Sequence, residues 1–313
     1  MAWLEITIPT TAQSIGSVTT ALTAGGFSDL LIEDQAEFET FLDENREYWD
    51  YIDETLQQKL DGLSNIKLYL EDADSAGMDK LTTLLSKLGL TMTSALLPDV
   101  DYEESWKDSY PPQPIGKKLL VLPCWLADTD PDGRLPVILD PGLTFGTGAH
   151  PSTQMVMEAM EELVQPGDHC LDLGSGSGIL SITALRLGAA TATGIDIDPK
   201  AEDIARENAA YNSFTAPEFT ALTGNVTADK NLMAQLSQRD YGVVLVNIVA
   251  DVIISLAPPL PAFLAPDTRL ICSGILDTRL EDVKAALDAA GIRITGIRQK
   301  EDWRCITAER SGL

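Results

Sequence analysis

The chain has 313 residues, 44% hydrophobic and 22% charged, a composition that excludes collagen-like, low-complexity and wholly disordered chains and leaves room for two domains. Its 22 Lys and Arg face 48 Asp and Glu, and the resulting formal charge of −26 argues against sequence-nonspecific nucleic-acid binding. Residues 1–100 alone carry 18 acidic and 5 basic side chains, which suits a cationic, lysine-bearing partner as well as plain solubility.

The first basic residue is Arg46, so no signal or transit peptide can be drawn and a cytoplasmic location is expected. The longest apolar stretch, residues 243–264, is interrupted by Asn247, Asp251 and Pro258, Pro259 and Pro261, and does not read as a membrane span. Cys124, Cys170, Cys272 and Cys305 form no C-x-x-C pair, and only His150 and His169 could join them as soft ligands. Reduced core thiols are therefore expected, with no metal site.

Taken in order, residues 3–8 alternate as a strand, residues 11–23 read as a helix stopped by Gly25 and Gly26, and residues 28–33 give a second strand. Residues 36–61 are acidic and helical in pattern. A strand over 65–70, a helix over 78–88 and a strand over 90–97 complete a β-α-β-β-α-β order, which predicts a ferredoxin-like α+β domain with an insertion, spanning 1–97. Residues 98–134 form a proline-rich connector and the start of a hairpin. In that hairpin residues 118–125 and 135–140 pair around Asp130-Pro131-Asp132-Gly133.

From Pro151 strands and helices alternate. Helices are expected at 151–164, 179–187, 199–211, 229–236, 248–256 and 280–290. Strands are expected at 169–173, 191–196, 218–222, 241–247, 269–273, 293–298 and 304–308. Such βα alternation predicts an α/β fold with a parallel, doubly wound, Rossmann-like sheet over 135–313. Met155, Met157 and Met160 read as core packing.

The strongest chemical signal is Leu171-Asp172-Leu173-Gly174-Ser175-Gly176-Ser177-Gly178-Ile179, an apolar strand running through a glycine turn into a helix. Gly174, Gly176 and Gly178 let the main chain turn sharply and approach a ligand. Their spacing departs from the dinucleotide fingerprint, whose third glycine position here is Ile179, so another adenosine-bearing ligand is favoured over a nicotinamide. Asp172 is placed to accept from loop amides or a ligand ammonium group. Asp196 ends the next strand, where a carboxylate can accept both ribose hydroxyls. Asp198, followed by Pro199, reads as a helix cap. Asn247 ends a later strand on the same rim; its amide oxygen can accept from an incoming amine and aim the nitrogen lone pair. The turn-rich run from Asp140 to Thr153, with Phe145, Thr147 and His150, leads into the helix preceding this unit.

Together, D-x-G-x-G-x-G after a strand, an acid ending the next and Asn247-Ile248-Val249-Ala250 resemble class I S-adenosylmethionine-dependent methyltransferases. With Asp140-Pro141-Gly142-Leu143-Thr144-Phe145-Gly146-Thr147-Gly148-Ala149-His150-Pro151-Ser152-Thr153 and Ser273-Gly274-Ile275-Leu276 added, the chain resembles the PrmA family, which methylates large-subunit ribosomal protein eleven. The resemblance continues through Ser105-Trp106-Lys107, Trp3-Leu4-Glu5 and Glu301-Asp302-Trp303. It implies a seven-stranded methyltransferase sheet, S-adenosylmethionine as methyl donor, and trimethylation of lysine side chains and the terminal amine of the ribosomal protein docked by the N-terminal domain. Cofactor positions carried over are Thr153, Gly174, Asp196 and Asn247, and Asn247 is the expected catalytic residue. Ser175 and Val249 stand where the family often has Cys and Leu, and residues 36–61 look like a family-variable insertion. Two other readings compete: the same fold acting on a small amine or RNA, and a non-catalytic cofactor-binding interaction module. A monomer is the expected state.

Overall fold

The computed structural model describes residues 3–27, 29–35, 64–97, 107, 110–141 and 146–311. The acidic stretch 36–61, Trp106 and Phe145 lie outside the described residues. Contacts divide the chain into two units, Met1–Asp108 and Ser109–Leu313.

In the first unit, β1 (Trp3–Pro9), α1 (Ile15–Ala24), β2 (Leu30–Asp34), β3 (Ser64–Glu71), α2 (Ser75–Leu88) and β4 (Thr93–Leu97) follow the expected order. Their sheet runs β2-β3-β1-β4 with every described pairing antiparallel, which is the ferredoxin-like arrangement. Alternation decides which face is buried: Ile6 and Ile8 of β1 and Ile66 and Leu68 of β3 pack on Val18 and Leu22 of α1 and Leu81 and Leu85 of α2. The second helix starts where the Asp74 carboxylate accepts from Gly77 N–H at 2.9 Å, and it stops at Gly89, which takes the left-handed φ of 69°.

The second unit begins with a small sheet of β5 (Gln113–Ile115), β6 (Leu119–Pro123) and β7 (Leu135–Leu139). Here the expected hairpin is wrong. The two strands do pair, but in parallel, Leu119 opposite Leu135 and Pro123 opposite Leu139. A two-residue turn can join only antiparallel neighbours. The link after Pro123 is longer: it holds a 3-10 turn, Cys124–Leu126, before the turn at Asp132 and Gly133, and carries the chain back to the start of β6.

The large sheet then builds from α3 (Pro151–Leu163), β8 (His169–Leu173), α4 (Ile179–Arg186), β9 (Thr191–Asp196), α5 (Pro199–Tyr211) and β10 (Phe219–Thr223). It continues through α6 (Lys230–Leu236), β11 (Val243–Asn247), α7 (Ala250–Leu256), β12 (Arg269–Leu276), α8 (Leu280–Ala289), β13 (Ile292–Lys300) and β14 (Trp303–Arg310). Its order is β10-β9-β8-β11-β12-β14-β13, a seven-stranded sheet as expected. The strands from β8 to β12 are parallel, whereas β14 is antiparallel to both β12 and β13. The fully parallel expectation fails there because only Glu301 and Asp302 separate β13 from β14, too short for a crossover.

Both faces of the sheet are covered. Leu171, Leu173, Val244 and Val246 pack toward α7 and α8 with Ile253, Val283 and Leu287, while Cys170, Val243 and Leu245 pack on the other side with Met155, Met157, Met160, Leu180 and Ala205. The three methionines are core, as expected. Burial pushes the thiols of Cys170, Cys272 and Cys305 up, that of Cys305 to about 12. Since β9 and β10 lie on one side of β8 and β11 on the other, the strand order reverses between β8 and β11. A ligand crevice is expected outside their carboxyl ends.

Candidate active site

That crevice is bordered by the glycine turn leaving β8. Gly174 and Ser175 donate their N–H groups to the Ile195 carbonyl at 2.8 and 3.0 Å, stitching the turn to β9. Gly174 has a left-handed φ of 80° and sits against the Ile248 side chain, so a Cβ there would be strained and would collide. Gly178, with φ 79°, opens α4 where a Cβ would stand 3.0 Å from that of Ala205. At both positions a protein side chain occupies the space a Cβ would need, so packing and the left-handed φ together call for glycine.

Asp196, at the end of β9, faces this turn. Its Oδ2 accepts from Gly176 N–H at 2.9 Å and its Oδ1 from Asp198 N–H at 3.0 Å. A carboxylate has about four lone-pair sites, so two amide bonds orient it and leave acceptor capacity for two hydroxyls. Asp198 caps α5, accepting from Lys200 N–H at 2.9 Å with Pro199 in the first turn, as its sequence context implies.

Asp172 is turned differently from expectation. Its Oδ2 accepts from the N–H and Oγ of Ser181 in α4, at 3.1 and 2.8 Å, and from no loop amide among the described residues. Position 172 alternates with Leu171 and Leu173, so its side chain belongs to the α4 side of the sheet. Oδ1 is buried and has no hydrogen-bond partner among the described residues. Burial pushes this carboxyl up to about 7, against the pull of the two Ser181 bonds, with Asp196 adding to the rise.

Asn247 ends β11, beside Ser273 in the register of β12. Its Nδ2 donates to Thr153 Oγ1 at 3.2 Å, and its Oδ1 is buried without a partner among the described residues. Thr153, 3% exposed on the first turn of α3, thus fixes which end of the amide faces the crevice. Thr147 lies between Gly146, whose carbonyl accepts from Ser177 Oγ at 2.8 Å, and Gly148, packed against Val121 and Ile179. Its side chain lines a small cavity with Tyr110, Gln113 and Leu139. His150 caps α3, accepting from Ser152 N–H, and meets the Trp303 ring edge-on at 4.5 Å. Partial burial lowers its pKa, which keeps the imidazole neutral at neutral pH.

The structure therefore brings Asn247 to Thr153, and Asp196 to the glycine turn, on one rim. Sequence reasoning missed Ser181, which holds Asp172, Asn208, which holds the Ser177 carbonyl of the turn, and Asn212, which holds Ile138 of β7. The two asparagines continue the buried helical period of Ala201 and Ala205, and that period was the available signal.

The family profile described as "Ribosomal protein L11 methyltransferase (PrmA)" matches residues 2–311. A Heliobacterium modesticaldum protein named ribosomal protein L11 methyltransferase is 32% identical over 323 residues, covering 100% of this chain and 99% of that protein. An Alkaliphilus metalliredigens protein of the same name is 34% identical with the same coverage. Among solved structures, a ribosomal protein L11 methylase from Lactobacillus delbrueckii subsp. bulgaricus superimposes with a TM-score of 0.58 at 29% identity, over 65% of this chain and 100% of that one.

Proposed function

Because this chain belongs to the ribosomal protein L11 methyltransferase (PrmA) family, we propose that it transfers methyl groups from S-adenosylmethionine to lysine side-chain and N-terminal amines of ribosomal protein L11. The observation that carries this reading is the buried, unpartnered Oδ1 of Asn247, held by Thr153 on the rim shared with the Asp196 carboxylate and the glycine turn.

The residues suit that methyl donor. Gly174, Gly176 and Gly178 take the left-handed φ that a sharp strand-to-helix turn needs, Asp196 keeps acceptor capacity for two ribose hydroxyls, and Asp172 Oδ1 is a second unfilled acceptor. When bound, S-adenosylmethionine supplies an electrophilic methyl group on a cationic sulfur. Asn247 Oδ1 accepts an N–H of the incoming amine and so directs its lone pair along the line of transfer; Thr153 Oγ1 keeps that oxygen from rotating away. An amide is no base, so the amine must arrive neutral. Shedding a proton from a lysine of pKa near 10.4 costs about 4 kcal/mol at pH 7.4. A second cation beside the positively charged sulfonium is disfavoured, which lowers that cost.

In this reading residues 1–97 recognise the basic substrate through an acidic surface, 98–134 connect, and 135–313 carry the chemistry. A cytoplasmic location accords with a ribosomal substrate. Purified protein incubated with labelled methyl donor and undermethylated ribosomal proteins tests the whole. Label confined to amines of L11 supports it; label in RNA or small amines would favour the same fold with another substrate, and no transfer would favour a non-catalytic module.

A further inference from the structure

Ser177 stands between two glycines of left-handed φ, Gly176 at 48° and Gly178 at 79°. Glycine has more backbone freedom to lose than any other residue, so a turn of this composition holds one shape only if something outside it does the holding. Two groups outside the turn bind Ser177. Its hydroxyl donates to the Gly146 carbonyl, and its own carbonyl accepts from Asn208 Nδ2, both at 2.8 Å. Asn208 is 1% exposed, and its Oδ1 accepts from Asp140 N–H at 2.9 Å. One side chain thus joins the glycine turn to the end of β7.

Asn212, the cap residue just past the end of α5 and 2% exposed, pairs with both main-chain groups of Ile138: N–H to Oδ1 at 2.9 Å and Nδ2 to carbonyl at 2.6 Å. The spacing explains the fit. Four residues of helix rise about 6 Å, and two residues of strand rise about 6.8 Å. Asn208 and Asn212 therefore meet Asp140 and Ile138 together, and α5 satisfies the open edge of β7 with side-chain amides. Only Asn208 continues across to the cofactor turn.

We propose that Asn208 is a positioning residue: by holding the Ser177 carbonyl it fixes the peptide planes of the glycine turn in the shape that receives the adenosyl ligand. This rests on the cofactor site assigned above. Asn212 is equally buried and does not touch the turn; its Nδ2 also meets the Asn208 main-chain carbonyl at 2.7 Å and its Oδ1 accepts from Arg186 at 3.2 Å, so its replacement disturbs the same neighbourhood while leaving the Asn208 side chain on Ser177, and it separates positioning from folding.

The test compares Asn208→Asp, which keeps the acceptor for Asp140 N–H but sets a carboxylate against the Ser177 carbonyl, with Asn212→Asp. Binding of S-adenosylhomocysteine is measured by calorimetry and stability by thermal melting. The expected result is a Kd raised about tenfold for Asn208→Asp, the size of one lost hydrogen bond, and a Kd within about twofold of the unaltered protein for Asn212→Asp despite a lowered Tm. Equal shifts in Kd for the two variants, or none for Asn208→Asp, would overturn the proposal. If Asn208→Asp does not fold, Asn208→Ser carries the same comparison. Failure of the unaltered protein to bind S-adenosylhomocysteine would instead overturn the cofactor assignment, and this proposal with it.

Discussion

Replacing Asn247 with Ala removes both ends of one amide, and the structure assigns them different duties. The Nδ2 end holds Thr153 Oγ1 at 3.2 Å, while the Oδ1 end is buried with no hydrogen-bond partner among the described residues. An acceptor of this kind, removed from water and meeting an N–H only when substrate is present, is worth about 1–3 kcal/mol. At 1.36 kcal/mol per factor of ten, turnover should fall about 5- to 150-fold. The adenosyl moiety is held by other residues, so cofactor affinity should change less than about threefold. Thr153→Val keeps the oxygen and removes its tether, and should lose less turnover than Asn247→Ala. Single-turnover methylation at saturating methyl donor, with calorimetric binding of S-adenosylhomocysteine, gives the two quantities separately. Equal loss of rate and affinity in Asn247→Ala, or an unaltered rate, would refute the assignment of its oxygen to the amine.

Asp196→Ala should weaken S-adenosylhomocysteine binding at least about tenfold, since charge-assisted hydrogen bonds to its carboxylate are worth roughly 1.5–3 kcal/mol each; unchanged calorimetric affinity would end that role. Asp172 bears on pH. Its carboxyl, near 3.8 when unfolded, is held at about 7 in the folded chain, so the folded state binds the extra proton and stability falls as pH rises from about 4 to 7. Asp172→Asn removes that slope, worth up to about 4 kcal/mol. Urea unfolding at pH 4.5 and 7.5 checks it, and variant and parent curves of the same pH dependence would count against the buried carboxyl as its source.

Much of the fold was legible because local patterns and tertiary demands agree. The apolar strand at Leu171–Leu173 abuts three alternating glycines and an apolar helix, and few structures other than a strand-turn-helix ligand loop satisfy all of it. The pairing of β6 with β7 was not legible. Two apolar strands around Asp130-Pro131-Asp132-Gly133 look alike whether they run parallel or antiparallel, and the 3-10 turn at Cys124–Leu126 decides the matter. Asp172 was expected to accept from loop amides or from a ligand ammonium group; strand alternation instead sends its Oδ2 to Ser181, a partner nine residues on that sequence proximity does not single out. Asn208 and Asn212 were not singled out. Their role depends on β7 lying alongside, more than sixty residues away in the chain. Phe145, named from the turn-rich run, lies outside the described residues.

The burial of the thiols bears on chemoselectivity. An enzyme that handles a reactive alkylating group must avoid modifying itself, and sulfur in its anionic form is a better nucleophile than any amine the enzyme is meant to serve. Cys272 stands one position before Ser273, the register partner of Asn247, yet it is inaccessible and burial keeps it protonated, as with Cys170 and Cys305. The same apolar packing that builds the sheet therefore withholds these three thiols from alkylation, while the fourth, Cys124, is only partly buried and lies in the 3-10 turn that follows β6 of the small sheet, outside the large one.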